Sequence, residues 1–299
     1  MNNIKYLLEV GIYALAKSSE ENNWFPGHIG ASIIAIALFL EENIKEVSDD
    51  LKKMVLLKAE EIIEINAVQY EDIYSKEKTS TNPILDAVKL NIKNFSADGH
   101  GVIYGSLALK GIQYLDKNIK EEVITGIATI VKLAQNDNVE RYWKIENYKE
   151  AEIKETDLEN FKNVSEAGLY CLTHQENQLG NLIINDKQYY FEGSRLHEVT
   201  HSQALLLLDQ LGYSELAIEG LNGLKKQIFF NKQFPKDIEP EQIDFLFDPF
   251  EIQFWRYPIK DYHHYKLAYA VFSLCNYLKI KNTNEILKPM SLHWKILNK

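Results

Sequence analysis

The chain has 299 residues, a formal net charge of −10, 45% hydrophobic residues and 25% charged ones. These values suit a globular chain of one large domain or two small ones, and the acidic balance argues against a nucleic-acid backbone or an anionic membrane as the main partner. Two cysteines, Cys171 and Cys275, are too few for a disulfide framework and point to a reducing cytoplasm.

The N-terminal stretch "MNNIKYLLEVGIYALAK" lacks a cationic start followed by a long apolar core, so it reads as an amphipathic first helix. The longest apolar run, "IGASIIAIALFL", is too short to span a bilayer. Residues 50–70 form a long pattern of 3.6-residue period. In "NPILDAVKLNIKNF", Asn82 is placed to cap a helix and Pro83 to occupy its first position. Residues 118–135 and 214–230 carry the same helical period, and 146–159 reads as a surface excursion or a charged helix. One exception is residues 181–191, where two β-prone runs flank Asn185-Asp186 and suggest a small hairpin. No linker divides the chain. The expectation is a single all-α domain over 1–299, built from packed helical hairpins.

Four segments resemble one another: "FPGHIGASIIAIALFL" (25–40), "ADGHGVIYGSLALKGI" (97–112), "SRLHEVTHSQALLLLD" (194–209) and "KDYHHYKLAYAVFSLC" (260–275). Each opens with histidine and continues as a helix rich in small and apolar residues. Six of the eight histidines fall there: His28, His100, His197, His201, His263 and His264. The segments lie roughly 65 to 100 residues apart, which is not a solenoid period. They suggest four inner helices whose first turns converge. Imidazoles gathered from several helices make a natural metal site; the alternative is that each histidine merely caps its helix.

The third segment also contains "HEVTH", an H-E-x-x-H pattern. In zinc hydrolases the two histidines share a helical face and the glutamate takes a proton from the metal-bound water. That reading makes His197 and His201 ligands, Glu198 the base and Glu219 a third ligand. The pattern is short, and no β-rich subdomain accompanies it to align a peptide.

Taken together, the four words resemble those of the questin oxidase-like family, best known from fungal aromatic polyketide pathways. "GHIGASIIAIALFL", "GHGVIYGSLAL", "LHEVTHSQALLLL" and "DYHHYKLAYAVFSL" follow the family's order, and the last two are the most specific. They cover about a fifth of the chain; Glu198 and His201 stand where the family word has small residues. The resemblance implies dioxygen-dependent oxidation of an aromatic or quinone-like small molecule, formally a Baeyer–Villiger-type or ring-opening conversion. It also implies a non-haem Fe(II) centre held by His28, His100, His197 and His263, with Lys266 carboxylated as a further ligand. His263 and Lys266 are spaced i, i+3, so both can face one point. The family is associated with NADPH, but the chain has no Gly-rich dinucleotide fingerprint.

Around that set, His201 and His264 are expected to assist catalysis or to replace a misassigned ligand. Asp261 and Glu198 are expected to orient an imidazole, and Tyr104 to line the pocket. Trp255 and Arg256 either meet a flat, acidic substrate or belong to a packed loop with a surface arginine.

Overall fold

The computed structural model describes residues 2–42, 48–142, 145–174, 182–184, 187–189, 194–233, 248–256, 262–281 and 286. The fold is all-α, with eleven α-helices among the described residues. The helices are α1 (Asn2–Lys17), α2 (Gly27–Glu42), α3 (Asp49–Ile65), α4 (Asn82–Lys93), α5 (His100–Leu115), α6 (Glu121–Leu133), α7 (Val164–Thr173), α8 (Ser194–Gln210), α9 (Ser214–Asn231), α10 (Ile252–Arg256) and α11 (His263–Leu278), of which α7 and α10 are not expected from the sequence. Two three-residue strands, β1 (Leu182–Ile184) and β2 (Lys187–Tyr189), pair antiparallel with Leu182 opposite Tyr189. That is the expected hairpin; its turn, Asn185-Asp186, lies outside the described residues.

Four helices form the inner layer. α2 packs on α5, α5 on α8, α8 on α11, and α11 back on α2, closing a ring. These helices are covered on nearly every face, and α2, α5 and α11 are correspondingly rich in apolar residues, while α8 buries a run of polar side chains from Thr200 to Gln203. In α2 the residues from Gly30 to Leu40 are all buried, and in α11 so are those from His263 to Cys275. The outer helices are amphipathic and show one stripe to this core. α1 lies on α2, α4 and α6 on α5, and α9 and α7 on α8.

Small residues permit the closest crossings. A Cβ built on Gly30 would stand 2.3 Å from the backbone nitrogen of Leu15, so α1 and α2 touch almost backbone to backbone. Ser32 and Asn66 fix the entry to α11: the Ser32 hydroxyl donates to the Tyr262 carbonyl at 2.8 Å, and the Tyr262 hydroxyl donates to Asn66 Oδ1 at 2.9 Å.

Helix ends depart from the periodic reading in two places. The 50–70 pattern stops at Ile65, where the Asn66 side chain donates to the Ile62 carbonyl at 2.7 Å and Ala67 turns left-handed at φ 47°. The cap of α4 is Thr81, so Asn82 is already helical and Pro83 follows it. Between 146 and 159 the described residues hold a short 3-10 turn (Glu155–Asp157) and no α-helix. No described helix is long and apolar enough to cross a membrane.

Candidate metal centre

Each inner helix delivers one histidine in its first turn. His28 is the second residue of α2, His100 the first of α5, His197 the fourth of α8 and His263 the first of α11. Because the four helices form a closed ring, the four imidazoles meet. Ring centroids stand 4.7 Å apart for His28–His100, 4.6 Å for His100–His197, 4.7 Å for His197–His263 and 4.4 Å for His263–His28. All four are buried, His263 the least at 7% exposure.

The outward nitrogens of two rings are tied to backbone. His28 Nδ1 is 2.6 Å from the Phe25 carbonyl, and His100 Nδ1 is 2.5 Å from the Ala97 carbonyl. A carbonyl only accepts, so in both rings Nδ1 carries the proton and Nε2 is left as a lone pair. Tyr104, fully buried on α5, places its hydroxyl 2.6 Å from the same His28 nitrogen. His28 Nε2 and His263 Nε2 lie 2.8 Å apart. Two nitrogens bound at right angles to one ion, at about 2.1 Å each, stand about 3 Å apart, so that spacing fits shared coordination. Nitrogens of His28, His100 and His263 all lie within 4.8 Å of one another. His100 Nε2 and both nitrogens of His197 make no hydrogen bond among the described residues, a costly state for buried polar atoms unless something else satisfies them.

Electrostatics keep three of the rings neutral. Burial first, then the neighbouring imidazoles and Lys266, hold His28, His100 and His197 well below the ordinary imidazole range. Neutral imidazole is the metal-binding form. Lys266 follows His263 by nearly one turn, is buried, and holds its Nζ 5.5 Å from the centroid of the Tyr104 ring. The expected i, i+3 pairing with His263 therefore brings Lys266 to the cluster.

The remaining sequence candidates go elsewhere. His264 is buried beside His263, but consecutive helical residues diverge by about 100°, and its ring meets Tyr265 at 6.3 Å. His201 hydrogen-bonds Gln227 Oε1 at 2.9 Å and stacks on Phe95. It packs so closely on Gly99 that a Cβ there would stand 2.6 Å from the imidazole. Glu198 accepts from Asn231 Nδ2 at 2.7 Å, and Glu219 lies exposed on α9. The H-E-x-x-H residues thus diverge into three neighbourhoods: the imidazole cluster for His197, Asn231 for Glu198 and Gln227 for His201. Trp255 is a core residue, fully buried with its indole N–H donating to the Pro249 carbonyl at 2.7 Å, while Arg256 ends α10 exposed. Asp261 and His293 lie outside the described residues. Cys171 and Cys275 are buried thiols that burial pushes upward.

Three residues absent from the sequence reading join the site. Trp24 packs its ring on His100 at 4.7 Å and His28 at 5.7 Å. Its neighbour Phe25, 57% exposed, packs on His28 at 4.5 Å. Asp98 is fully buried with Oδ2 3.7 Å from His197 Nδ1. Asp98 sat in plain view inside "ADGH", where an acidic residue beside a glycine-marked turn could have signalled it. Comparison with protein-family models, with curated proteins and with solved structures found no match for the chain.

Proposed function

We propose that the four imidazoles hold one transition-metal ion, iron by preference, and that the protein is an oxygenase of an aromatic or quinone-like small molecule. The observation that carries this reading is the convergence of four buried histidines from four helices, two of them with tautomers fixed so that Nε2 is the free nitrogen. An imidazole-rich site suits iron, zinc or copper. The choice of iron and of aromatic oxidation rests on the resemblance of the four histidine words to the questin oxidase-like family. A bound iron ion would supply the binding and reduction of dioxygen.

The chain's own groups would do the rest. The carbonyls of Phe25 and Ala97 hold two imidazoles in ligand form. Lys266, carboxylated, would add an anionic oxygen donor one turn from His263. Tyr104, its hydroxyl held in the phenol form by burial, buttresses His28 and can offer a proton at its oxygen. Trp24 and Phe25 place aromatic rings against His28 and His100, with Phe25 reaching solvent. They form an apolar rim suited to a flat ring system.

Metal analysis of protein purified without a histidine tag tests the reading. One iron per chain after anaerobic reconstitution is expected. His263→Ala should abolish uptake, and His264→Ala should keep it. Failure of the wild-type chain to retain any transition metal, or equal loss in the two variants, overturns the proposal.

A further inference from the structure

A second polar cluster sits directly behind His197. The Asp98 carboxylate accepts from Arg141 Nη1 at 3.0 Å and from the Tyr142 hydroxyl. Arg141 reaches on to Asp137, with Nε donating at 2.6 Å, and the Tyr148 hydroxyl donates to the same carboxylate at 2.9 Å. The backbone that carries Asp98 is held from several sides. The Ala97 amide donates to the Tyr148 oxygen at 3.1 Å, and Gln227 Nε2 donates to the Asp98 carbonyl at 3.2 Å.

That backbone is unusual. Ala97, Asp98 and Gly99 are consecutively left-handed, at φ 49°, 51° and 81°. Glycine adopts that region freely, but alanine and aspartate there cost on the order of 1 kcal/mol or more each. The turn achieves two placements at once. It presents the Ala97 carbonyl to His100 Nδ1, and it aims the Asp98 carboxylate at His197 Nδ1. Without it His197 would have no outward group to select its tautomer, since both its nitrogens lack hydrogen bonds among the described residues.

We infer that Asp98 is a positioning residue that sets His197 in the Nδ1–H tautomer, with Arg141 and Tyr142 holding the carboxylate in place. The inference deepens the metal-centre reading and rests on it for its purpose, though not for its test. A carboxylate facing Nδ1 can only accept, so it draws the imidazole proton to that nitrogen and leaves Nε2 bare toward the other three rings. The separation of 3.7 Å exceeds hydrogen-bond length, so in the metal-free protein the buried carboxylate acts through its charge, which favours the proton on the nitrogen that faces it.

The test uses metal-free protein labelled with nitrogen-15 at histidine. Long-range proton–nitrogen correlation, assigned by comparison with His197→Asn, should show His197 protonated at Nδ1 and bare at Nε2. Asp98→Asn keeps the size of the side chain but can turn an amide N–H toward Nδ1, which makes that nitrogen the acceptor and moves the proton to Nε2. The variant should therefore show the opposite tautomer and bind Co(II), used as the probe metal, about 10- to 100-fold more weakly. A wild-type His197 protonated at Nε2 overturns the inference even if Asp98→Asn does not fold, and so does an Asp98→Asn protein with an unchanged tautomer. A wild-type chain with the Nδ1–H tautomer that takes up no metal upholds the inference and sinks only the metal-centre reading.

Discussion

Gly27→Ala tests how tightly the first turn of α2 is fitted to the site. A Cβ at this position would stand 2.7 Å from Tyr104 Cε2, 3.1 Å from Cδ2 and 3.2 Å from Ile130 Cγ1. Ordinary carbon contacts are about 3.5–4.0 Å, so the Tyr104 ring must retreat by most of an ångström. It has little room, because it is fully buried with His28, His100 and Lys266 around it. Overpacking of this kind costs about 1–3 kcal/mol, and the rigid ring argues for about 2–3. For 299 residues the unfolding entropy near the midpoint is about 0.6 kcal/mol per kelvin, so Tm should fall by about 3–5 °C. The retreat also pulls the phenol oxygen away from His28, so metal affinity should drop together with Tm. Circular dichroism melts and Co(II) titration read the two effects. In a double-mutant cycle with Tyr104→Leu, which removes the clashing ring, the two substitutions should couple by about 1 kcal/mol or more. Alanine intrinsically favours helix over glycine by up to about 1 kcal/mol. A Gly27→Ala protein as stable as wild type, with unchanged Co(II) binding, would therefore refute the packing argument.

Two further outcomes follow from buried charge. Arg141 is largely buried between Asp98 and Asp137, so Arg141→Ala strands two carboxylates. It should cost about 3 kcal/mol in urea unfolding; a loss below about 1 kcal/mol would mean water reaches the pair. His201 is fully buried, and desolvation lowers its pKa to about 4, against a smaller raising effect of its Gln227 hydrogen bond. A depressed folded pKa means the neutral ring contributes stability that is present above the unfolded value near 6.5 and is lost as pH falls through 4. The share for this residue is roughly 3 kcal/mol. His201→Gln should lose less stability than wild type between pH 7 and pH 4, and parallel pH profiles would show that the ring is not held neutral by burial.

Much of the site was readable because the ligand candidates obey a local rule. A histidine opening a helix rich in small and apolar residues, four times over, says that four helix starts share an environment, and the ring of α2, α5, α8 and α11 is that environment. What could not be read was depth. His201 follows His197 by four residues, so it lies about 6 Å further along α8. At that level the helix meets the Gly99 turn instead of the imidazoles. The "HEVTH" pattern therefore breaks on a packing fact that spacing alone does not contain. Asp98 and Arg141 are 43 residues apart in sequence, and their pairing depends on a strained turn that no periodicity announces. Trp255 is ambiguous in the sequence for a related reason: an aromatic beside an arginine looks like a binding surface, yet its indole faces the core and is satisfied by Pro249. The long helices were legible, while the short α7 and α10 were not, and neither was the end of α3, because a single Asn66 side chain overrode a pattern that continued past it.

All four histidines occupy first turns, and that has an engineering consequence. The helices that carry them are 16 or 17 residues long, so their far ends lie about 24 Å from the imidazoles. The molecule is thereby zoned along one axis, with the histidine cluster in a thin slab at one end and a mostly apolar core beyond it. Repacking the distal slab for thermal robustness should leave the reactive slab undisturbed, and swapping residues in the reactive slab need not be compensated at the other end. A fold divided this way can be altered at the histidine cluster and hardened for stability in independent campaigns.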